Sequence, residues 1–200
     1  MKYLVKLGVN ANSENTYGTM PIFNSCYGGN VNIVKYLVEL GADINADDGI
    51  DSTSPLFSAC YGKGHKDIVE YLVENGAYVN KEDCNEETPL FYACRYGNEA
   101  IVKYLVEHGA EINKVNSIGE TPFFEVCYSG NEHLIKYLVG LGININKENH
   151  NSETSLFGAC RDGNEAIVKC LIEQSADVNK ANNDGETPLF MACKCKNDLL

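Results

Sequence analysis

Several features that are common in other classes of protein are scarce or missing in this sequence. No apolar run approaches the roughly 18–20 residues that are needed to span a lipid bilayer. Residues 1–6 do not begin a long apolar segment with a small-residue cleavage site, so they do not resemble a secretory signal peptide. We therefore expect an intracellular protein, cytoplasmic or nuclear, that does not insert into a membrane.

Basic residues are also scarce. The chain has 16 lysines and arginines against 28 aspartates and glutamates, which gives a formal net charge of -12. Proteins that bind nucleic acid or dock on anionic lipid usually carry a basic surface, so we expect neither kind of partner. The negative charge is compatible with a basic protein partner, although solubility alone would also explain it.

The residue patterns of common catalytic sites are missing as well. The sequence contains no P-loop, no dinucleotide-binding glycine pattern and no HExxH pattern. Cys193 and Cys195 are separated by a single residue, which in a helix points the two thiols apart and does not match zinc-ligand spacing. The histidines share no regular spacing with a serine or cysteine, and we expect solvated roles for His65, His108, His133 and His150. The sequence thus predicts no catalytic residue, no metal site, no cofactor and no enzyme.

Prolines are few, but their positions reveal an internal repeat. They stand 34, 34, 33 and 66 positions apart, at Pro21, Pro55, Pro89, Pro122 and Pro188. Ser155 occupies the place that this spacing leaves empty. The same period is kept by six cysteines and six asparagines, which are Cys26, Cys60, Cys94, Cys127, Cys160, Cys193, Asn12, Asn45, Asn80, Asn113, Asn146 and Asn179. Such a period predicts an array of structural repeats.

The repeat at residues 82–114 indicates why each unit should contain two helices. The hydroxyl of Thr88 can cap the first helix, and Pro89 suits the first helical position, where its missing N–H costs nothing. Gly97 is placed to end this helix, and Asn98 is placed to cap the second one.

The second helix of this repeat, residues 100–107, has one apolar face and is followed by Gly109. That face consists of Ile101, Val102, Leu105 and Val106. Because neither short helix can bury its apolar side alone, identical units must stack on one another.

The repeat resembles the ankyrin repeat. The resemblance rests on Thr88-Pro89-Leu90-Phe91, Gly97-Asn98, Ile101-Val102-Lys103-Tyr104-Leu105-Val106 and Gly109-Ala110-Glu111-Ile112-Asn113, and six registered copies cover essentially the whole chain. It implies an all-α ankyrin-repeat solenoid of stacked helix-turn-helix units with projecting β-turn loops. Phenylalanine replaces the usual histidine in every copy, and we expect stabilising packing from Phe23, Phe57, Phe91, Phe124, Phe157 and Phe190.

We expect a single array over residues 1–200. Its complete repeats are assigned to residues 14–47, 48–81, 82–114, 115–147 and 148–180, with partial repeats at 1–13 and 181–200. Neither end has the polar outer face that usually closes such an array, so we expect a piece of a longer array that is monomeric by itself. Single-residue insertions fall in the turn at residues 48–52 and between helices at residues 61–63.

The nine cysteines are interpreted as small apolar residues rather than as disulfides. Equivalent residues on stacked helices should lie about 8–10 Å apart, whereas a disulfide needs Cα atoms within about 7 Å. So many free thiols favour a reducing compartment. We expect Cys84, which lies in a turn, and Cys195 to be the exposed thiols.

The resemblance implies that a partner protein binds the concave face, which is formed by the turn tips and the exposed side of each first helix. The first helices contribute Tyr27, Tyr61, Arg95, Tyr96, Tyr128, Arg161, Asp162 and Lys194. The turns contribute Tyr17, Asp51, Asn85, Glu87, Ile118, Glu120, His150 and Glu153. Tyrosine and arginine are enriched in binding hot spots, although the tyrosines could also simply cover the first helices. Packing roles are expected for the second-helix tyrosines, Tyr36, Tyr71, Tyr104 and Tyr137.

The resemblance predicts a protein–protein interaction module without catalytic activity. Two alternatives are the targeting arm of a larger enzyme, such as a kinase or ubiquitin ligase subunit, and a structural spacer or membrane-skeleton tether. Similar repeats can also be hydroxylated on the asparagine that closes the unit, and Asn179 fits that pattern best, followed by Asn113. The favoured alternative is that these asparagines bond the backbone of the turn.

Overall fold

The structure, a computed structural model, describes residues 10–194 of the chain. Within that range it contains eleven α-helices and no β-strand. The first helices are α1 (Pro21–Tyr27), α3 (Pro55–Cys60), α5 (Pro89–Arg95), α7 (Pro122–Ser129), α9 (Ser155–Arg161) and α11 (Pro188–Lys194). The second helices are α2 (Val31–Glu39), α4 (Lys66–Glu74), α6 (Glu99–Glu107), α8 (Glu132–Gly140) and α10 (Glu165–Glu173). The predicted all-α repeat of paired helices is therefore confirmed.

Each of the first helices α1, α3, α5, α7 and α9 packs against the second helix of its own pair and against the first helix that follows. Apolar side chains at the start of the first helices are fully buried, such as Leu56 and Leu90. The phenylalanines pack as expected, with burial of Phe23, Phe57, Phe91, Phe124 and Phe157. Phe190, in the last helix described, is half exposed because no further helix pair within residues 10–194 covers it.

The first helices do not begin as the sequence suggested. Thr88 has extended backbone geometry, but its hydroxyl makes no capping hydrogen bond and is buried without a partner. Its backbone carbonyl instead accepts the hydrogen bond from Phe91 N at 2.9 Å. The prediction of a hydroxyl cap at Thr88 is therefore wrong, because proline at the next position and burial of the side chain leave this role to the backbone.

The predicted asparagine cap of α6 is also wrong. The side chain of Asn98 makes no cap. Its amide donates to the carbonyls of Cys60, at 3.2 Å, and Gly62, at 3.1 Å. Helix α3 stops at Cys60, and Tyr61 is extended, so these carbonyls lie at the end of a shortened helix. At the equivalent position of other units, the side chains of Asn30, Asn131 and Asn164 do cap the second helix.

Glycines end the helices where the sequence placed them. Gly97 and Gly109 have φ angles of 64° and 88°, a left-handed conformation that favours glycine after a helix. Ser175 occupies the position equivalent to Gly109 and is held at a φ of 67°. A side chain in this conformation is strained, so the serine weakens the end of α10.

The regularly spaced cysteines lie in the core as free thiols. The buried members are Cys26, Cys60, Cys94, Cys127 and Cys160, whereas Cys193 is exposed. Burial raises the pKa of the Cys26 thiol to about 12, which keeps it protonated and unreactive. The expected exposure of Cys84 is confirmed, and Cys195 lies outside the described residues.

The turns between helix pairs share one hydrogen-bonding pattern. A side-chain oxygen at the start of each turn accepts backbone N–H groups two to five residues later, as Asp83 Oδ1 does from Asn85 N and Glu87 N. The equivalent residues are Asn15, Asp48, Asn116, Asn149 and Asn182. Successive turns are joined by a backbone hydrogen bond, for example from Ser117 N to Asn85 O at 2.9 Å. The turns therefore form a continuous edge beside the first helices.

Candidate partner-binding face

Three of the predicted concave-face tyrosines lie together in the structure. The ring centroids of Tyr27 and Tyr61 are 5.6 Å apart, and those of Tyr61 and Tyr96 are 4.8 Å apart. All three remain accessible, with exposed fractions of 62%, 42% and 37% in chain order. They come from the ends of α1, α3 and α5, which stack side by side, so the repeat brings together residues 34 and 35 positions apart.

A fourth tyrosine, Tyr92, completes this group and was missed by the sequence analysis. Its ring lies 6.5 Å from that of Tyr61 and meets Phe57 edge-on at 5.1 Å. The Tyr92 hydroxyl donates to Asp83 Oδ2 at 3.0 Å. A signal was present, since Tyr92 precedes Tyr96 by one helical turn and therefore lies on the same side of the helix. We call Tyr27, Tyr61, Tyr92 and Tyr96 the tyrosine cluster.

Two members of the tyrosine cluster, Tyr92 and Tyr96, have pKa values above the usual value for tyrosine. Burial among the neighbouring rings, with the Tyr61 hydroxyl adding to it, raises the pKa of Tyr96 to about 12. Burial, followed by the nearby Asp83 carboxylate, raises the pKa of Tyr92 well above its usual value. Tyr92 and Tyr96 therefore offer aromatic faces and hydroxyl groups rather than phenolate charge.

On the rest of the concave face, one side-chain contact recurs in successive units, between residues that are eight positions apart in the sequence. The last acidic residue of the turn bonds the residue at the end of the following first helix. Glu87 accepts from Arg95, Glu120 from Tyr128, Glu153 from Arg161, and Glu186 from Lys194. The two earlier units carry Thr19 and Thr53 at the position of these glutamates. Tyr27 and Tyr61 therefore have no such acidic partner.

Arg95 makes the most extensive of these contacts. Its guanidinium bonds Glu87 at 2.7 and 2.8 Å and Glu125 at 2.7 and 3.0 Å, and it lies 5.2 Å from the centroid of the Tyr92 ring. Hydrogen bonds and charge attraction from the two carboxylates outweigh burial and raise the pKa of Arg95 above its usual value. This arrangement ties α5 to α7, so Arg95 supports the structure as well as lining the face.

Two predicted turn residues are not exposed. Glu87 and Glu120 have exposed fractions of only 6% and 7%. Asn116 Nδ2 donates to Glu87, and Asn149 Nδ2 donates to Glu120. Burial raises the pKa of the Glu120 carboxyl above its usual value. The expectation that these side chains project as turn tips is wrong, because each is needed to pair the turn with the neighbouring unit.

The remaining predicted residues lie at the surface in different surroundings. Tyr128 is exposed, but its ring lies against Gly158, where an added Cβ would come within 2.4 Å of Tyr128 Cε1. Burial and the Glu120 carboxylate raise the pKa of Tyr128 well above its usual value. Exposed side chains at the turn tips and helix ends are Tyr17, Asp51, Asn85, Ile118, His150, Arg161, Asp162 and Lys194, whereas Glu153 is partly buried. The second-helix tyrosines are partly buried, and Tyr71, Tyr104 and Tyr137 pack against the core.

The asparagines that close the repeats mostly bridge to the next unit. Asn80, for example, donates to Gly109 O at 2.9 Å and accepts from Glu111 N at 3.0 Å. Equivalent pairs of bonds are made by Asn12, Asn45 and Asn146. Asn113 and Asn179 are exposed, and no such side-chain bond is recorded for them within residues 10–194. In the unit that follows Asn113, the residue after the helix-ending glycine is Ile143, where the other complete repeats have the smaller alanine.

Metal sites and membrane-spanning helices are both absent from the described part of the chain. Residues 10–194 contain no group of three or more histidine, cysteine, aspartate or glutamate side chains arranged to hold a metal ion. No helix in the same range is both long and apolar enough to cross a membrane.

Comparison with known proteins shows the family of the chain. A sequence model described as ankyrin repeats (three copies) matches residues 1–83, 41–116, 79–149 and 123–200, which together extend over the whole chain. Among curated proteins, none matches this sequence. Ankyrin repeats are generally protein–protein interaction modules, and they typically have no catalytic activity of their own. The sequence match and the stacked helix pairs therefore agree that this chain belongs to the ankyrin-repeat family.

Proposed function

We propose that the chain binds a partner protein through its concave face, with the tyrosine cluster as the principal contact. The observation that carries this proposal is the contiguous, exposed group of Tyr27, Tyr61 and Tyr96. Tyrosine provides a large contact area at a low cost in conformational entropy, and it is enriched among the residues that dominate binding energy.

The neighbouring contacts support binding at this cluster rather than along the whole face. Beyond Tyr96, the ends of the first helices are engaged by glutamates of their own turns, as in Tyr128 and Arg161. A partner would have to compete with those contacts, whereas Tyr27 and Tyr61 already face outward. Because the helices that carry the cluster are packed against one another, binding requires little ordering of the chain.

The exposed tyrosines also favour a binding role over the two alternative functions. A structural spacer or membrane-skeleton tether needs no exposed aromatic group on its concave face. The targeting arm of a larger enzyme would bind in the same way, and we treat that role as one use of the proposed binding activity. We propose no intrinsic catalysis, and the free thiols in the core support a reducing, intracellular environment.

The test compares three versions of the chain as bait in affinity capture from cell extract. The first is unchanged, and the second carries Tyr27→Ala, Tyr61→Ala and Tyr96→Ala. The third is a matched control in which three exposed apolar residues away from the cluster are replaced by alanine, at Tyr78, Leu141 and Val178. Circular dichroism verifies that all three are helical.

We expect proteins that are captured by the unchanged chain and by the control, but are lost with the tyrosine variant. Binding partners retained equally by all three baits would show that the tyrosine cluster is not the contact surface. In that case the turns, or the outer faces of the second helices, would be the surfaces to examine.

Hydroxylation of Asn113 or Asn179 stays a prediction. The free side chain of Asn113 supports it, since the other closing asparagines in residues 10–146 use theirs to hold the next unit. Mass spectrometry of the protein from its native cells would show a gain of one oxygen atom on a peptide that contains either residue.

A further inference from the structure

Beside the tyrosine cluster lies a cleft with aromatic walls and an acidic edge. Its volume is about 230 Å³. The walls include the rings of Tyr27, Tyr61, Tyr92 and Phe57, and the edge includes Asp48 and Asp51. Asp51 lies in the turn that carries the single-residue insertion and is exposed, so this turn presents a carboxylate directly beside the rings.

The two aspartates have different roles. Asp48 accepts hydrogen bonds from three backbone N–H groups of its own turn and from the Thr53 hydroxyl, so its carboxylate holds the turn in place. The carboxylate of Asp51 has no lysine, arginine or histidine within 4.0 Å in the described part of the chain. The nearest recorded polar contact is the Cys84 thiol, at 4.0 Å. Asp51 therefore has the capacity to bind a positive charge.

The protein itself shows which group such surroundings attract. In the next repeat, the guanidinium of Arg95 lies over the ring of Tyr92 and between the carboxylates of Glu87 and Glu125. Arg95 and Tyr61 are equivalent positions, each one residue after a cysteine of the repeat. Where the later repeat supplies its own cation, the earlier one has a tyrosine. The cleft beside it is lined by aromatic rings, by two aspartates and by Thr53 and Ser58.

Several other cations within residues 10–194 are engaged elsewhere. Lysines lie over the second-helix rings, with Lys35 over Tyr71, Lys66 over Tyr104 and Lys103 over Tyr137. Lys81 bonds Asp47 and the Thr53 carbonyl. Within residues 10–194 no lysine or arginine is recorded over the ring of Tyr27 or Tyr61.

We propose that this cleft binds an arginine side chain of the partner protein, with the guanidinium against the Tyr27 and Tyr61 rings and paired with Asp51. A planar guanidinium can stack on an aromatic ring while it donates hydrogen bonds to a carboxylate. The net charge of -12 favours the approach of a basic segment over an acidic one. This inference rests on the proposed binding function and specifies the chemistry of its ligand.

The test uses N-acetyl-arginine methylamide as the probe and the same compound built on citrulline, which has nearly the same shape but no charge, as its control. Each is titrated into the ¹⁵N-labelled 200-residue chain, and amide chemical shifts are followed by NMR. We expect saturable shifts around Tyr27, Asp51 and Tyr61 with arginine, weaker shifts with citrulline, and weaker arginine binding as salt is added. Equal shifts with both probes, or none near these residues, would overturn the proposal.

Two substitutions test whether the Asp51 carboxylate contributes to arginine binding. Asp51→Asn should weaken arginine binding about two- to fivefold, as expected for loss of a partly exposed ion pair. Asp184→Asn is the matched control, because Asp184 is an exposed carboxylate at the same position of a distant turn. It should leave the affinity unchanged, and an equal loss in both variants would indicate a non-specific effect of charge and contradict a site at Asp51.

The capture experiment and the titration can fail separately. If proteins are lost with the tyrosine variant but the arginine probe does not bind, the concave-face function stands and the guanidinium site is wrong. If arginine binds at the cleft but captured proteins do not depend on the tyrosines, the site exists without the proposed partner-binding role.

Discussion

Equivalent positions of the repeat have the same backbone environment but different side chains, and these differences decide what each residue does. The position one residue after the regularly spaced cysteine is Tyr61 in one unit, Arg95 in the next and Tyr128 in the one after. In each case the side chain contacts the first helix of the following unit, at Tyr92, Glu125 and Gly158 respectively. One position thus supplies a ring beside other rings, an ion pair and a ring packed on a glycine.

Ser175→Gly should stabilise the protein by about 0.5–1 kcal/mol. Ser175 is held at a φ of 67°, where glycine has no steric penalty, and the gain is partly offset by the greater freedom of glycine in the unfolded chain. The free energy of unfolding from urea titration measures the change. Gln174→Gly, one residue earlier at a φ of -90°, is the control and should destabilise instead. If both changes lowered stability, strain at Ser175 would be excluded.

Glu120→Gln should stabilise the protein at neutral pH, and the difference should disappear in acid. Burial raises the pKa of Glu120 in the folded state, so folding favours the protonated carboxyl over the charged one. The stabilising contribution of the protonated form is complete below the unfolded-state pKa and is lost as pH rises through the raised folded-state pKa. Glutamine resembles the protonated form at every pH. Urea unfolding measured from pH 3 to pH 8 would show a growing advantage for the variant, whereas a constant difference would contradict this account.

The stable structural element of this protein is the pair of packed helices rather than the single helix. Most of the helices have only seven to nine residues, too few to be stable alone in water. Neighbouring first helices are joined by buried apolar side chains and, between α5 and α7, by the bonds from Arg95 to Glu87 and Glu125. Removing that arginine would leave two largely buried carboxylates close together without a counter-ion.

Arg95→Met should therefore destabilise the protein by about 2 kcal/mol. Breaking a fully buried ion pair costs more, but the Arg95 side chain is 34% exposed and water would partly compensate. Arg161→Met is the matched control, since Arg161 occupies the equivalent position, is 49% exposed and bonds only Glu153. It should cost less than about 1 kcal/mol. Equal losses in urea unfolding would show that the double contact of Arg95 contributes no more than a surface pair.

At the scale of the whole molecule, position along the array determines how much a given residue contributes. A first helix in the middle is covered by pairs on both sides, whereas α11 has only one neighbouring pair within the described residues. Leu90 and Leu189 each follow the repeat proline by one residue. Leu90 is fully buried, and Leu189 is 70% exposed.

Leu90→Ala should cost about 3 kcal/mol, and Leu189→Ala about 0.5 kcal/mol or less. The first change opens a cavity in a packed core, whereas the second removes a side chain that is mostly in water. Urea unfolding of the two variants provides the comparison, with each serving as the control for the other. Similar losses would mean that Leu189 is covered in solution by a surface that residues 10–194 do not supply.

Much of the fold and part of the candidate site could be predicted from the sequence. Periodic prolines, cysteines and glycines were sufficient to identify the paired helices, because each residue type acts locally at a helix start, core or helix end. The exposed tyrosines Tyr27, Tyr61 and Tyr96 were found in the same way. Burial of Glu87 and Glu120 was not predicted, because acidic residues in a turn are usually solvated and their partners lie eight or more residues away.

The sequence by itself determined the repeat, the order and boundaries of its helices to within a residue or two, and the apolar faces that must stack, since these follow from local backbone preferences and periodicity. Only the tertiary structure decided which concave-face residues remain free. Stacking places Tyr61 between Tyr27 and Tyr96, and it brings Arg95 within hydrogen-bonding distance of two glutamates. It also lets the side chain of Asn98 donate to the preceding unit, while it makes no cap on its own helix. Such contacts depend on distances between units, and a linear pattern carries no information about which of several possible partners a side chain reaches.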